Sequence, residues 1–344
     1  MAYTTINKQT DYFNTKLYAG NGGTNNITGV GFQPDWVWIK KRNATANHHA
    51  FDAVRGVTKV LKPNETDAET TVATTLTSFD SDGFTVGSDT SVNGNLLASW
   101  NWKANGQGSS NTDGSINTTY TSVSTTAGFS ICLYTGTGSN ATVGHGLGVV
   151  PEMIIIKEVT GSGRNWRVYH KAMGNGKVMY LNNTNSEVTD ATAFNNTSPT
   201  SSVFSVGTSG GTNDSGNSYV AYCFASKTGY SKIGKYSGNG NANGTFVYTG
   251  FKPSVIIIKD KDNAENWFIF DNKRPGYNLN ANHLNPNSNT TETNSSANTM
   301  DILSNGFKMR ATNNGINRSG GEGFLYMAFG QSLVGSNNVP CTAR

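Results

Sequence analysis

The side chains that could take up a proton, attack a carbon or hold a metal are sparse in this chain. Its five histidines, His48, His49, His145, His170 and His283, fall in no elbow or triad signature beside a serine or cysteine nucleophile. His145 lies in Gly144-His145-Gly146-Leu147-Gly148, where the glycines read as a turn. His48 and His49 are adjacent, and adjacent strand residues point to opposite faces, so a regular strand cannot aim both at one metal. Glycoside hydrolysis needs two carboxylates facing each other across a cleft. The candidates are Asp80 with Asp82, which precede the hairpin glycine Gly83, and Asp260 with Asp262, which follow an apolar run. Both pairs read as turns and solvated strand ends. Asp80-Ser81-Asp82-Gly83 also resembles the start of a calcium loop, but Thr85 and Gly87 stand where an EF-type loop needs further donors. No catalytic, cofactor-binding or metal-binding residue is expected, and the reading is non-enzymatic.

Other chemistry-bearing types read structurally. Cys132, Cys223 and Cys341 are too few and too separated for a disulfide framework or a zinc site, and the first two sit in apolar runs as small core residues. Ser237-Gly238-Asn239-Gly240-Asn241-Ala242-Asn243-Gly244 is glycine-rich, yet no Gly-Lys-Ser/Thr follows it, so it reads as a loop and not a phosphate cradle. Trp166 and Trp267 each follow an asparagine and suit either core packing or stacking on sugar rings. Trp36, Trp38, Trp100 and Trp102 are spaced by two within each pair, so each pair shares a face. That aromatic patch is either a core or a docking surface.

The elements that must position these residues are strands. Charged residues make up only 14% of the chain, while Gly, Asn, Ser and Thr crowd it, a mixture suited to pleated surfaces and tight turns. No long run places apolar residues at helical spacing, so the expected class is all-β. The net charge of +4 arises from 26 basic and 22 acidic residues without blocks of one sign, which argues against a nucleic-acid partner. Lys40, Lys41 and Arg42 read as a solvated strand end, with an anion-binding patch as the alternative. No stretch is apolar enough to span a membrane, and Met1-Ala2-Tyr3-Thr4-Thr5 lacks a basic region followed by an apolar one, so cytoplasmic synthesis is expected. Asn-x-Ser/Thr triplets such as those at Asn26, Asn43, Asn140 and Asn243 then mean little.

One pattern occurs three times. A Tyr-x-Gly-x-Gly turn opens it at Tyr18, Tyr134 and Tyr236. A Gly-x-x-Pro element follows at Gly31–Pro34, Gly148–Pro151 and Gly250–Pro253, leading into apolar runs that end at Lys40, Lys157 and Lys259. Proline at a strand entry costs no ladder hydrogen bond, and an unbroken apolar run suits a strand covered on both faces. A second strand follows as Asn165-Trp166-Arg167-Val168-Tyr169 and Asn266-Trp267-Phe268-Ile269-Phe270, with a weaker echo at Ala50-Phe51-Asp52. Asp82-Gly83 and Asn305-Gly306 mark hairpins that the middle copy lacks, and an aromatic strand closes each unit near Trp100, Tyr222 and Tyr326.

The expected architecture is three tandem β-sandwich or jelly-roll-like modules. The expected divisions are an N-terminal arm 1–15, module 1 at 16–104, a flexible linker 105–127, module 2 at 128–228, module 3 at 229–335 and a tail 336–344. The linker is rich in Gly and Ser, whereas modules 2 and 3 nearly abut and are expected to pack as a fixed pair.

Met1–Asn14, Gly31–Lys40, Ala127–Pro151, Tyr219–Ala225 and Phe246–Lys259 resemble a family of marine bacteriophage proteins carrying a repeated domain of unknown function, likened to concanavalin A-like sandwiches. The resemblance covers nearly the whole chain, implies a virion setting and carries no catalytic residue. The expectation is a virion surface protein in contact with other virion proteins, homo-oligomeric and a trimer by fold-level analogy. A tail-associated adhesin touching host glycan is the first reading and a capsid decoration protein the alternative. A polysaccharide-degrading enzyme would need the facing carboxylates that were not found.

Overall fold

The computed structural model describes residues 3–320 and 323–334. The class is all-β, with helix confined to short turns. The threefold repeat becomes three copies of one antiparallel sheet. In module 1 the strands Phe13–Ala19, Leu96–Trp102, Trp36–Lys41 and His49–Asp52 lie side by side in that order. Module 3 repeats the order with Ser231–Tyr236, Phe324–Gln331, Lys252–Asp260 and Trp267–Asp271. Module 2 does so with Phe129–Thr135, Ser218–Phe224, Met153–Glu158 and Arg167–His170, and extends the sheet at both edges. A smaller second layer covers each sheet, for example Asn25–Ile27, Gly83–Val86 and Leu76–Asp80 in module 1.

The Tyr-x-Gly-x-Gly turn locks onto a helical turn in every copy. The hydroxyls of Tyr18, Tyr134 and Tyr236 donate to the carbonyls of Val92, Thr212 and Ile316 at 2.6–2.7 Å. Buried Asn93, Asn213 and Asn317 then accept from the backbone N–H of Asn21, Thr137 and Asn239. Glycine is required at the first Gly of the motif, because a Cβ on Gly136 would lie 2.3 Å from the Asp214 carbonyl oxygen.

The apolar runs show why both faces of each sheet are covered. Val37 and Ile39, Ile154 and Ile156, and Ile256 and Ile258 point into separate cores, one inside each module. Their alternates Trp36 and Trp38, Met153 and Ile155, and Val255 and Ile257 all point into one central core common to the three modules. There Phe329 of module 3 stacks on Phe13 of module 1 at 5.3 Å and meets Phe224 of module 2 at 6.1 Å. Trp36 stacks on Tyr222 of module 2 at 4.5 Å. The tryptophan patch is therefore a core and a docking surface at once, with the partner modules in the same chain. A large apolar side chain buried this way contributes about 1.5–3 kcal/mol.

Equivalent hydrogen bonds close the three modules into a ring. Strand register makes His48, Trp166 and Trp267 counterparts. His48 Nδ1 accepts from Trp38 at 2.8 Å, so its Nε2 carries the proton and reaches the Asn285 carbonyl of module 3 at 3.1 Å. Trp166 Nε1 donates to Lys62 O of module 1 at 3.0 Å, and Trp267 Nε1 to Tyr180 O of module 2 at 2.9 Å. The strand-end lysines follow the same cycle, with the Nζ of Lys40, Lys157 and Lys259 donating to the carbonyls of Asn289, Thr66 and Thr184.

Several expectations are corrected here. Lys40 is no solvated strand end: it is fully buried, held by backbone carbonyls, and burial pushes its pKa down to about 8 with Lys41 assisting. Arg42 pairs with Glu292 of module 3 at 2.8 Å. Modules 2 and 3 do pack together, through Trp267 on Tyr180, but module 1 joins both of them, through Lys62 and His48. The stretch 105–127 contains the strand Tyr120–Ser124, which pairs with Phe129–Thr135, so it is built into module 2. Residues 3–12 lie against module 3, where Tyr3 donates to Gly250 O, Ser254 donates to Gln9, and Gln9 N donates to Gln331. The first strand begins at Phe13, inside the expected arm. The tail 336–344, with Cys341, lies outside the described residues.

Candidate functional site

The sequence-selected residues do not converge. His145 closes its own turn, accepting from Leu147 N and facing the Thr200 carbonyl, both at 3.1 Å. His48 faces a module seam, while His49 stacks on Phe51 on the opposite face. His283 packs against Phe268 and Phe270. His170 is buried at the seam between modules 2 and 3, with Nδ1 accepting from Ala172 N and the ring also meeting the Tyr326 backbone. Asp82 accepts from the backbone N–H of Gly29 and Gly31, which holds its pKa below the usual range, whereas Asp80 accepts from Ser78 and Thr85. Asp260 caps its own turn through Asp262 N and Asn263 N. Cys132 and Cys223 are buried free thiols. Among the described residues no group of three or more His, Cys, Asp and Glu is placed to hold a metal. Trp166 and Trp267 are buried at seams and are not presented to sugars.

The three copies differ where one edge strand is concerned. In module 2, Tyr120–Ser124 lies along Phe129–Thr135, and a Cβ on Gly146 would sit 3.4 Å from Val123 Cγ1. Gly146 stands two residues before the glycine of Gly-x-x-Pro, the place of Gly29 in module 1 and of Tyr248 in module 3. No such strand runs among the described residues along Phe13–Ala19 of module 1 or along Ser231–Tyr236 of module 3. A groove of about 320 Å³ opens beside the latter strand, between modules 2 and 3 and the N-terminal segment.

Its walls carry two half-exposed phenols, two ammonium groups and one carboxylate. Tyr3 is 42% exposed and Tyr248 54%. The Tyr3 hydroxyl donates to Gly250 O at 3.0 Å, and burial, with the Tyr248 phenol beside it, pushes its pKa up. Lys232 Nζ donates to the Tyr248 carbonyl at 2.9 Å and lies 5.4 Å from the ring centroid. Across the groove, Glu152 accepts from Lys171 and Ser226. Ser226 Oγ in turn accepts from Ile233 N at 3.0 Å, so a side chain already occupies part of the strand edge. This arrangement bonds the Ser226 hydroxyl to the Glu152 carboxylate while Ile233 N holds the same oxygen. It suits stacking and hydrogen bonding to a hydroxyl-rich ligand, with aromatic faces and a few convergent polar groups.

A single match spans residues 8–332, which takes in all three modules together. The chain belongs to the family described as a domain of unknown function, DUF7483. No curated protein and no solved structure matches it.

Sequence reasoning passed over Tyr3, Glu152, Lys171, Lys232 and Tyr248. One signal was available: where module 1 has Gly29 and module 2 has Gly146, module 3 has Tyr248. A bulky ring at a position that lacks a side chain in both sister copies sets module 3 apart.

Proposed function

We propose that this protein is a non-enzymatic structural protein of a bacteriophage surface, a tail-associated adhesin that contacts host-surface glycan through the groove between modules 2 and 3. The virion setting rests on the sequence resemblance; the recognition role rests on the pair of half-exposed tyrosines set among polar side chains. Glu152 is the one carboxylate among the groove's lining residues, so the facing pair that glycoside hydrolysis demands has no counterpart there. Other virion proteins would hold the body in place. A homo-oligomer would have to use outer faces, because the face that a trimer of single modules would bury is already enclosed in the central core. The compact ring favours a second reading, a capsid decoration protein, over a long shafted fibre.

The test has two arms. Purified protein is titrated with lipopolysaccharide and capsular polysaccharide extracted from host cells, alongside Tyr248→Ala and Lys232→Ala variants. Loss of a stacking ring should weaken binding by roughly tenfold or less. Binding that is equal in all three proteins removes the groove from the reading. Electron microscopy of particles with and without the protein then separates tail from head by where density is lost.

A further inference from the structure

The groove between modules 2 and 3 has its acceptors engaged and its donors in surplus. Glu152 is the one carboxylate among the lining residues, and both of its oxygens are taken, one by Lys171 and the other by the Ser226 hydroxyl. Ser226 Oγ accepts from Ile233 N and Ser231 Oγ from Lys227 N, both at 3.0 Å, while the Thr249 hydroxyl donates to Phe251 O at 2.6 Å. The Tyr3 proton goes to Gly250 O. Lys232 stands apart. An ammonium has three N–H groups, and the Tyr248 carbonyl takes one of them at 2.9 Å. Lys171 is paired with Glu152, whereas Lys232 forms no ion pair among the described residues. Two lysines against one glutamate leave the lining residues one positive charge in excess.

That charge sits beside an aromatic ring. Lys232 Nζ lies 5.4 Å from the Tyr248 ring centroid, and the two phenol hydroxyls converge at Gly250, where a Cβ would lie 2.4 Å from that of Tyr3 and 3.6 Å from that of Tyr248. The combination belongs to module 3 alone. Four residues before the opening tyrosines Tyr18, Tyr134 and Tyr236 stand Asn14, Ser130 and Lys232, just as Gly29, Gly146 and Tyr248 correspond. The copy that acquired the ring therefore also acquired the ammonium, and both sisters are neutral at that place. A neutral sugar would cover the ring and leave the remaining ammonium protons to hydroxyl oxygens. An anionic group on the same sugar accepts a charge-assisted hydrogen bond, about twice as strong as a neutral one. A divalent cation meets the wrong sign, because it would have to displace Lys171 from Glu152 in a groove that already holds Lys232. A bare inorganic anion would leave Tyr3 and Tyr248 uncovered.

We infer that the groove selects acidic glycan: a sugar ring bearing a carboxylate or sulfate sets that group on Lys232 and its apolar face on Tyr248. This rests on the carbohydrate reading above and adds the charge on which selection turns.

The experiment is calorimetric titration of the full chain with polygalacturonate, alginate, chondroitin sulfate and capsular polysaccharide extracted from host cells, each beside its carboxyl-reduced form. The variants are Lys232→Met, Lys232→Arg, Tyr248→Ala and Lys235→Met, with unchanged unfolding midpoints as the folding control. Lys235 is an exposed lysine of the same strand that does not line the groove, so its loss changes the overall charge equally. The expected result is that at least one native polymer binds about fivefold more tightly than its reduced form, the ratio for one good exposed ion pair. Lys232→Met removes that preference, while Lys232→Arg and Lys235→Met keep it. Binding that survives carboxyl reduction in chondroitin sulfate alone and still weakens in Lys232→Met supports the inference with sulfate as the anion. Native and reduced polymers bound equally, weakened by Tyr248→Ala and indifferent to Lys232→Met, overturn the inference and leave the groove reading standing. A preference that Lys235→Met reduces as much as Lys232→Met reports overall charge and overturns it too. Binding indifferent to both Tyr248→Ala and Lys232→Met removes the groove and the inference together, and no binding of any polymer overturns the inference.

Discussion

Replacing Tyr222 by phenylalanine removes one hydroxyl from the seam between modules 2 and 1. That hydroxyl donates at 2.7 Å to Asp52 Oδ2, which also accepts from Arg55 Nε at 2.7 Å, and the Asp52 and Arg55 side chains are 0% and 2% exposed. A hydrogen bond to a charged group is worth about 1.5–3 kcal/mol, and the buried carboxylate cannot recover it from solvent. What the loss does to the melting curve depends on whether the modules melt together. Unfolding entropy is about 2.1 cal/mol/K per residue, so a single transition over roughly 330 residues has an entropy near 0.7 kcal/mol/K. On that basis Tyr222→Phe lowers the midpoint by about 2–4 °C in one intact transition. A separate module of roughly 100 residues would carry about 0.2 kcal/mol/K, and the same loss would drop one transition by about 7–15 °C while leaving the others alone. Differential scanning calorimetry separates these outcomes. A thermogram that splits, with one component moving and two standing still, would refute the shared core as the organising feature.

Two further predictions follow from the same seams. The His170 pKa is pushed down to about 4, chiefly by burial with Lys171 adding to it, so the unfolded chain binds this proton more readily than the folded one. Stability is then complete above about pH 6.5 and is lost as pH falls toward 4, by roughly 2–3 kcal/mol at pH 4.5 for this group alone; His170→Gln should reduce the fall in urea-unfolding free energy across that window by this share, with His49 and His283 still titrating there, and an unchanged slope would count against it. Lys157→Met strands the carbonyls of Thr66 and Arg164, which the ammonium meets at 2.8 and 2.7 Å, and should cost about 1–3 kcal/mol in urea unfolding; a neutral or stabilising result would show that those carbonyls find other donors.

The seams are not alike. Asp52 with Tyr222 and Asp271 with Trp100 are equivalent contacts, and each carboxylate is held by an arginine three residues on. The third seam has His170, Met173 and Met327 at the matching places. It is the seam without a buried ion pair at this position, and the groove opens at its outer edge, lined by Glu152 and Lys171 from one module and Lys232 and Tyr248 from the other.

Local pattern was enough to reveal the strands. Proline followed by an unbroken apolar run ending in lysine specified a strand covered on both sides, and its threefold recurrence specified three like units. Which surface covered the second side was beyond any local pattern, because Trp36, Met153 and Val255 are apolar whether they face their own module or a neighbour. Only the closed ring decided it. The same holds for Lys40, Lys157 and Lys259: a lysine at a strand end reads as solvated until a carbonyl from another module, more than seventy residues away in the chain, arrives to accept its hydrogen bond. His48 escaped notice as the counterpart of Trp166 and Trp267 because their shared property is an N–H at one place in space, which residue type conceals and register reveals. The candidate sites were hidden for a related reason. Tyr3 and Tyr248 are separated by most of the chain, and what unites them is a slot left open in one copy and filled in another, a difference that exists only once the copies are folded side by side.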